Sequence, residues 1–233
     1  NGKMDPKSSP MIASVTATVG MRTGHNDEAI LCLQDCPVGP KYQALPLRQY
    51  QLGLAKLRRL DLDANQPLEL FLKNYSGKEG LKEAYQKLAW YHWVNDNESG
   101  YRTYMSYVKL KGTAKAEGDE AAQREAEAGV LPDQRLLRAR LLFDGGYYDR
   151  AYNLLKNAAA DYSGDPLLNL EYSYRLGRIT HKMGKTTEAI RLYAETVERG
   201  SKNPAYFACN AALQLGLLYE EKKDTKKSRE AFT

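Results

Sequence analysis

The side chains able to do chemistry are few and lie apart in the chain. The three histidines are His25, His92 and His181, and none has a second metal-ligating residue at helical or hairpin spacing. Cys32 and Cys36 are four apart, which puts both thiols on one face of a helix, but the spacing is not that of a Cys-x-x-Cys redox or zinc site. They read as small buried hydrophobes, with a labile disulfide as the alternative; Cys209 makes the count odd. Gly184-Lys185-Thr186 resembles the end of a phosphate-binding loop. That loop needs a glycine five residues earlier, where Ile179 stands, and a strand before it, where the pattern is helical. No serine or cysteine sits in a nucleophile elbow. This inventory points away from an enzyme, and no metal or other cofactor is expected.

The bulk properties narrow the partner. The 233 residues carry a net charge of +5, with 34 basic side chains interleaved among 29 acidic ones. Only Lys222 to Lys227 is locally basic, and a solvated turn accounts for it better than a nucleic-acid contact. No nucleic-acid partner is expected. No apolar run reaches 18 residues, so no membrane-spanning segment is expected either. The 17 tyrosines against 4 phenylalanines and 2 tryptophans suit half-buried positions. The opening Asn1-Gly2-Lys3-Met4 and the final Ala231-Phe232-Thr233 suggest a segment of a longer protein, with the compartment, cytoplasmic or periplasmic, left open.

What positions these residues is a recurring pair of helices. From Leu170 to Gly200, apolar residues fall at helical spacing, break at Gly184-Lys185-Thr186, resume from Ala189 and stop at Gly200. Gly216 repeats the place of Gly177. Extending that register backwards gives Ala139, Ala89, Gly53 and Ala17, each a small residue where two helices would approach closely. Twelve residues on stand Ala29, Asn65, Tyr101, Ala151, Ala189 and Ser228, and one turn later Leu33, Glu69, Met105, Leu155, Tyr193 and Phe232. The polar pair Asn65 and Glu69 implies a shift of about one residue in the second unit, before Pro67. Six helix–turn–helix units result, at 12–35, 44–75, 81–111, 133–160, 168–199 and 205–233, the last incomplete. The acidic, alanine-rich stretch 112–131 reads as a surface excursion with a short helix at 119–127 and no strong apolar face.

Leu176-Gly177, Leu215-Gly216 with Tyr219, Ala189 with Tyr193, and Ser228 with Phe232 resemble the tetratricopeptide repeat signature, and the six units span nearly the whole chain. The stretches LGLAKLRRLDLDA, EAYQKLAWYHW, LLRARLLFDGGYYDRAYNLL and YFACNAALQLGLLYEEKKD also resemble the C-terminal half of a bacterial group of longer tetratricopeptide proteins. The resemblance implies an all-α, right-handed α-solenoid forming one domain over 1–233, with the first helix of each pair lining a concave face. In that register Tyr50, Leu54, Gln86, Trp90, Trp93, Leu136, Arg140, Tyr174, Arg178, His181, Lys182, Asn210, Leu213 and Leu217 face the groove. The family's carboxylate clamp needs Lys and Asn where this chain has Tyr174, Arg178 and Gln214, so capture of a chaperone tail is not expected.

The function expected from sequence is a non-catalytic protein- or peptide-binding scaffold. The candidate partner-binding residues are Trp90, Trp93, Arg140, Tyr174, Arg178, His181 and Lys182. Aromatic and arginine side chains are the types that concentrate binding energy at interfaces. A structural module that self-associates through its solenoid ends is the alternative.

Overall fold

A computed structural model of the chain describes residues 5, 8–39, 41, 42 and 45–232. The expected chain opening at 1–4, residue 44 of the second unit and Thr233 of the sixth lie outside the described residues. Helices account for 74% of what is described, and no strand occurs there. Among the described residues the thirteen α-helices are α1 (Pro10–Thr23), α2 (Asn26–Gln34), α3 (Leu47–Arg59), α4 (Asn65–Asn74), α5 (Leu81–Val94), α6 (Glu98–Leu110), α7 (Glu117–Ala128), α8 (Gln134–Asp144), α9 (Tyr148–Leu155), α10 (Pro166–Lys182), α11 (Thr186–Gly200), α12 (Phe207–Glu221) and α13 (Thr225–Phe232). None of them is long and apolar enough to cross a membrane.

Local chemistry sets the boundaries. Asn97, Asp133 and Asp165 accept hydrogen bonds from backbone amides of the first turns of α6, α8 and α10, and Pro10 and Pro166 open α1 and α10. Gly24 and Gly129 end α1 and α7 in the left-handed conformation that glycine adopts without steric cost.

The chain forms two compact units, Asn1–Tyr147 and Tyr148–Thr233. In the first, α1 packs on α2, α3 on α4 and α5 on α6, and each hairpin packs on the next. The small-residue register is where the paired helices meet. A Cβ added to Gly53 would stand 2.5 Å from Leu68 Cγ. The partner of Gly53 is therefore Leu68, with Ala64 before it, one residue earlier than Glu69 and Asn65. In the second unit α10 packs on α11, α11 on α12 and α12 on α13. There, a Cβ added to Gly177 would stand 3.0 Å from the buried ring of Tyr193, and one added to Gly216 would collide with the ring of Phe232.

Two features of the first unit differ from a simple stack of neighbours. First, α3 touches α8 as well as α5, and the turn after α8 returns to the turn after α1. There the Tyr147 hydroxyl donates to Asp27 Oδ1 at 2.8 Å and accepts from Asn26 Nδ2 at 3.0 Å. Second, the stretch 112–131 is no surface excursion. Its helix α7 packs on both α5 and α6 and buries Asp119, Ala122 and Ala126. The three positions are i, i+3 and i+7, one narrow helical face.

Candidate functional site

The seven candidate residues divide between the two units. Trp90 and Trp93 lie on α5 and Arg140 on α8, in the first; Tyr174, Arg178, His181 and Lys182 lie on α10, in the second.

In the first unit the expected open face is covered, and α7 covers it. Trp90 is only 4% exposed. Its indole Nε1 donates to Glu125 Oε1 of α7 at 2.8 Å, Gln86 Nε2 donates to Glu125 Oε2 at 2.6 Å, and the Tyr101 hydroxyl donates to Oε1 at 3.3 Å. One carboxylate thus collects three donors from α5 and α6, side-chain hydrogen bonds of the strong, charge-assisted kind. Trp93 is half-buried; its Nε1 donates to the carbonyl of Pro132, just beyond α7, at 2.8 Å. These corrections share a cause: the insertion, packed on α5 and α6, supplies what lies over Gln86 and Trp90.

Two cations sit over the buried indole. Lys87 Nζ is 4.1 Å and the Arg140 guanidinium carbon 4.7 Å from the Trp90 ring centroid. The ring's negative face attracts both. Arg140 is half-buried and lies 3.9 Å from Asp144 on the same helix. Burial lowers the Lys87 pKa to about 8, with Arg140 adding to the effect and Glu83 and Glu125 opposing it. Burial, and then the Glu125 charge, raise the Tyr101 hydroxyl well above its ordinary value. The adjacent N-terminus of α5 is held by the same insertion. Gly80 has no side chain to cap it, and Asp119 of α7 accepts from Gly80 N at 2.6 Å and Glu83 N at 3.0 Å.

In the second unit the stripe on α10 is only partly at the surface. Tyr174 is 5% exposed, packed against Phe207 and edge-on to Tyr206, which corrects its placement as an exposed contact. The Arg178 guanidinium lies 5.8 Å from the Tyr174 ring centroid and stays half-buried. His181 meets the Tyr193 ring edge-on, and burial lowers its pKa despite Glu221 nearby. Lys182 is exposed. Glu171, on the same helix, is engaged by Arg175. Beside α10 packs α12, whose Leu213 and Leu217 are 47% and 39% exposed.

Sequence reasoning missed Lys87, Asp119 and Glu125. The available signal was the spacing of Asp119, Ala122 and Ala126, a face too narrow and too lightly apolar to stand out by hydropathy. The three cysteines are free thiols, with Cys36 buried. Among the described residues no group of three or more histidine, cysteine or acidic side chains is placed to hold a metal ion. No protein-family model matches this chain, and no curated protein matches it in sequence.

Proposed function

We propose that this protein is a non-catalytic protein-binding scaffold, built as a right-handed array of tetratricopeptide-like hairpins and binding through the face carried by first helices. The observation that supports this most is on the second unit. There α12 leaves Leu213 and Leu217 in water one helical turn apart, beside an α10 that carries Arg178 and the exposed Lys182. Two large apolar side chains left partly exposed at i and i+4 make an apolar patch, and flanking cations give it a preferred sign. The partner chemistry that suits it is a peptide with an acidic or carboxyl-terminal group next to an apolar side chain.

The test is capture by the immobilised full chain from its native cells, compared with the variant Lys182→Glu, Leu213→Ser, Leu217→Ser. All three positions are at the surface, so the helical signal should be kept and the melting temperature lowered only modestly. The specifically captured protein should fall at least about tenfold, the loss expected when a small hot-spot patch is removed. Undiminished capture by a variant that stays folded would count against the α10–α12 face.

A further inference from the structure

In the first unit the equivalent face is not empty: the chain's own α7 occupies it, and its mode of occupation describes a ligand. The residues beneath α7 are Gln86, Trp90 and Tyr101, two of which the repeat register assigns to a binding face. We propose that this face of α5 and α6 is a second docking surface, closed in cis by α7. Its partner is a helix presenting one carboxylate flanked by small residues, as Glu125 is by Ala122 and Ala126. This inference rests on the scaffold reading given above and names a partner class for a second place on the molecule.

Four observations distinguish an occupant from a piece of core. α7 is fastened mainly through polar side chains, burying Ala122 and Ala126 as its only apolar residues. Elements with few buried apolar contacts are those that open locally. The fit is incomplete: a cleft of about 180 Å³ lined by Tyr101, Met105, Glu125 and Ala126 remains between α6 and α7. Of the four buried side-chain polar atoms among the described residues that have no hydrogen-bond partner, two, Thr113 Oγ1 and Gln123 Oε1, belong to the insertion. Native cores leave few such groups, since each forfeits its hydration without return. Finally, non-helical segments flank α7, 111–116 before it and 129–133 after, with Gly112 and Gly129 at positive φ. The helix could leave without unwinding α6 or α8.

The carboxylate carries the specificity. Three donors, the Trp90 indole N–H, the Gln86 amide and the Tyr101 hydroxyl, converge on Glu125, while Lys87 and Arg140 lie over the Trp90 ring. A helix with an apolar residue at that place would leave those donors buried and unpaired. A helix with a bulky residue in place of Ala122 or Ala126 could not approach α5 and α6 as closely. At the edge of the contact, α7 also comes against α5 through Gly118, where an added Cβ would collide with Glu83.

The experiment uses the full 233-residue chain and a fluorescent peptide of residues 114–131. The unmodified chain should not bind it, because the tethered copy competes at an effective concentration of about millimolar. The variant Ala122→Arg, Ala126→Arg should expel its own α7 and bind the peptide, and should bind the Glu125→Ala peptide at least about tenfold more weakly. A folded variant that fails to bind, or that binds both peptides alike, overturns the proposal. If the variant does not fold, hydrogen exchange on the unmodified chain decides. Amides of α7 exchanging at least about tenfold faster than those of α5 support an occupant that opens, and exchange in step with α5 overturns it. Capture through α10 and α12 is read separately, so loss of this proposal and loss of the scaffold reading are distinguishable.

Discussion

At the scale of single residues, a buried positive charge dominates the first unit. Lys87 Nζ has Glu83 at 3.5 Å, the Gln86 amide oxygen at 2.8 Å and the face of Trp90 in place of its hydration. Its pKa drops from 10.5 to about 8, so between those values the unfolded chain holds the proton and the fold does not. Stability attributable to Lys87 therefore carries its full penalty below pH 8 and rises as the pH climbs towards 10.5. The hydroxyls of Tyr101 and Tyr193 are raised, mainly by burial, and act oppositely above pH 10, where the unfolded chain loses their protons first. Comparison with Lys87→Met cancels these shared groups. Between pH 7 and 9.5 urea unfolding should shift by about 2 kcal/mol in favour of the unsubstituted chain, at about 1.4 kcal/mol per pKa unit. A difference that does not vary with pH would mean that Lys87 is charged and adequately solvated in the fold.

At the scale of helices, the recurrence of small residues made the pairs legible from sequence. Ala17, Gly53, Ala89, Ala139, Gly177 and Gly216 are all buried, at places where a large side chain would stand in the neighbouring helix. The one-residue shift at Leu68 was legible too, from the polar Asn65 and Glu69 at places that should be apolar. The closeness of each contact could not be read, since it depends on what the neighbour can do. At Gly53 an alanine Cβ would meet buried Leu68, including its backbone nitrogen at 3.1 Å; at Gly216 its nearest neighbours are ring atoms of the half-exposed Phe232. Alanine gains about 1 kcal/mol in helix propensity, against about 1–3 kcal/mol lost to overpacking. Gly53→Ala should therefore lower the melting temperature, Gly177→Ala should lower it less, and Gly216→Ala should leave it unchanged or raised. The reverse order would refute the packing account.

The role of α7 was not legible. Alanine-rich and acidic composition says helix, but only the fold shows that Asp119 substitutes for the missing cap of α5. Its carboxylate is fully buried and holds two backbone amides. Asp119→Ala should cost about 2–4 kcal/mol by stranding those donors, and Asp119→Asn clearly less, since one acceptor oxygen survives. Chemical denaturation of the two variants measures the difference. Equal losses would show that charge, not acceptor geometry, is what Asp119 provides.

At the scale of the whole molecule, the two units use the same kind of hairpin differently. The first has its candidate face filled by α7, with α3 also packed on α8. The second leaves Leu213, Leu217 and Lys182 in solvent. Sequence register assigned both faces to one groove because helical spacing specifies which side of a helix a residue is on, and not what later segment covers it. The scaffold account is tested most directly by a hydrogen-exchange footprint of the full chain with and without a captured partner. It predicts slowed exchange across 178–182 and 213–217, with the second helices α11 and α13 unchanged. Protection confined to α11 and α13, with α10 and α12 unaltered, would contradict it.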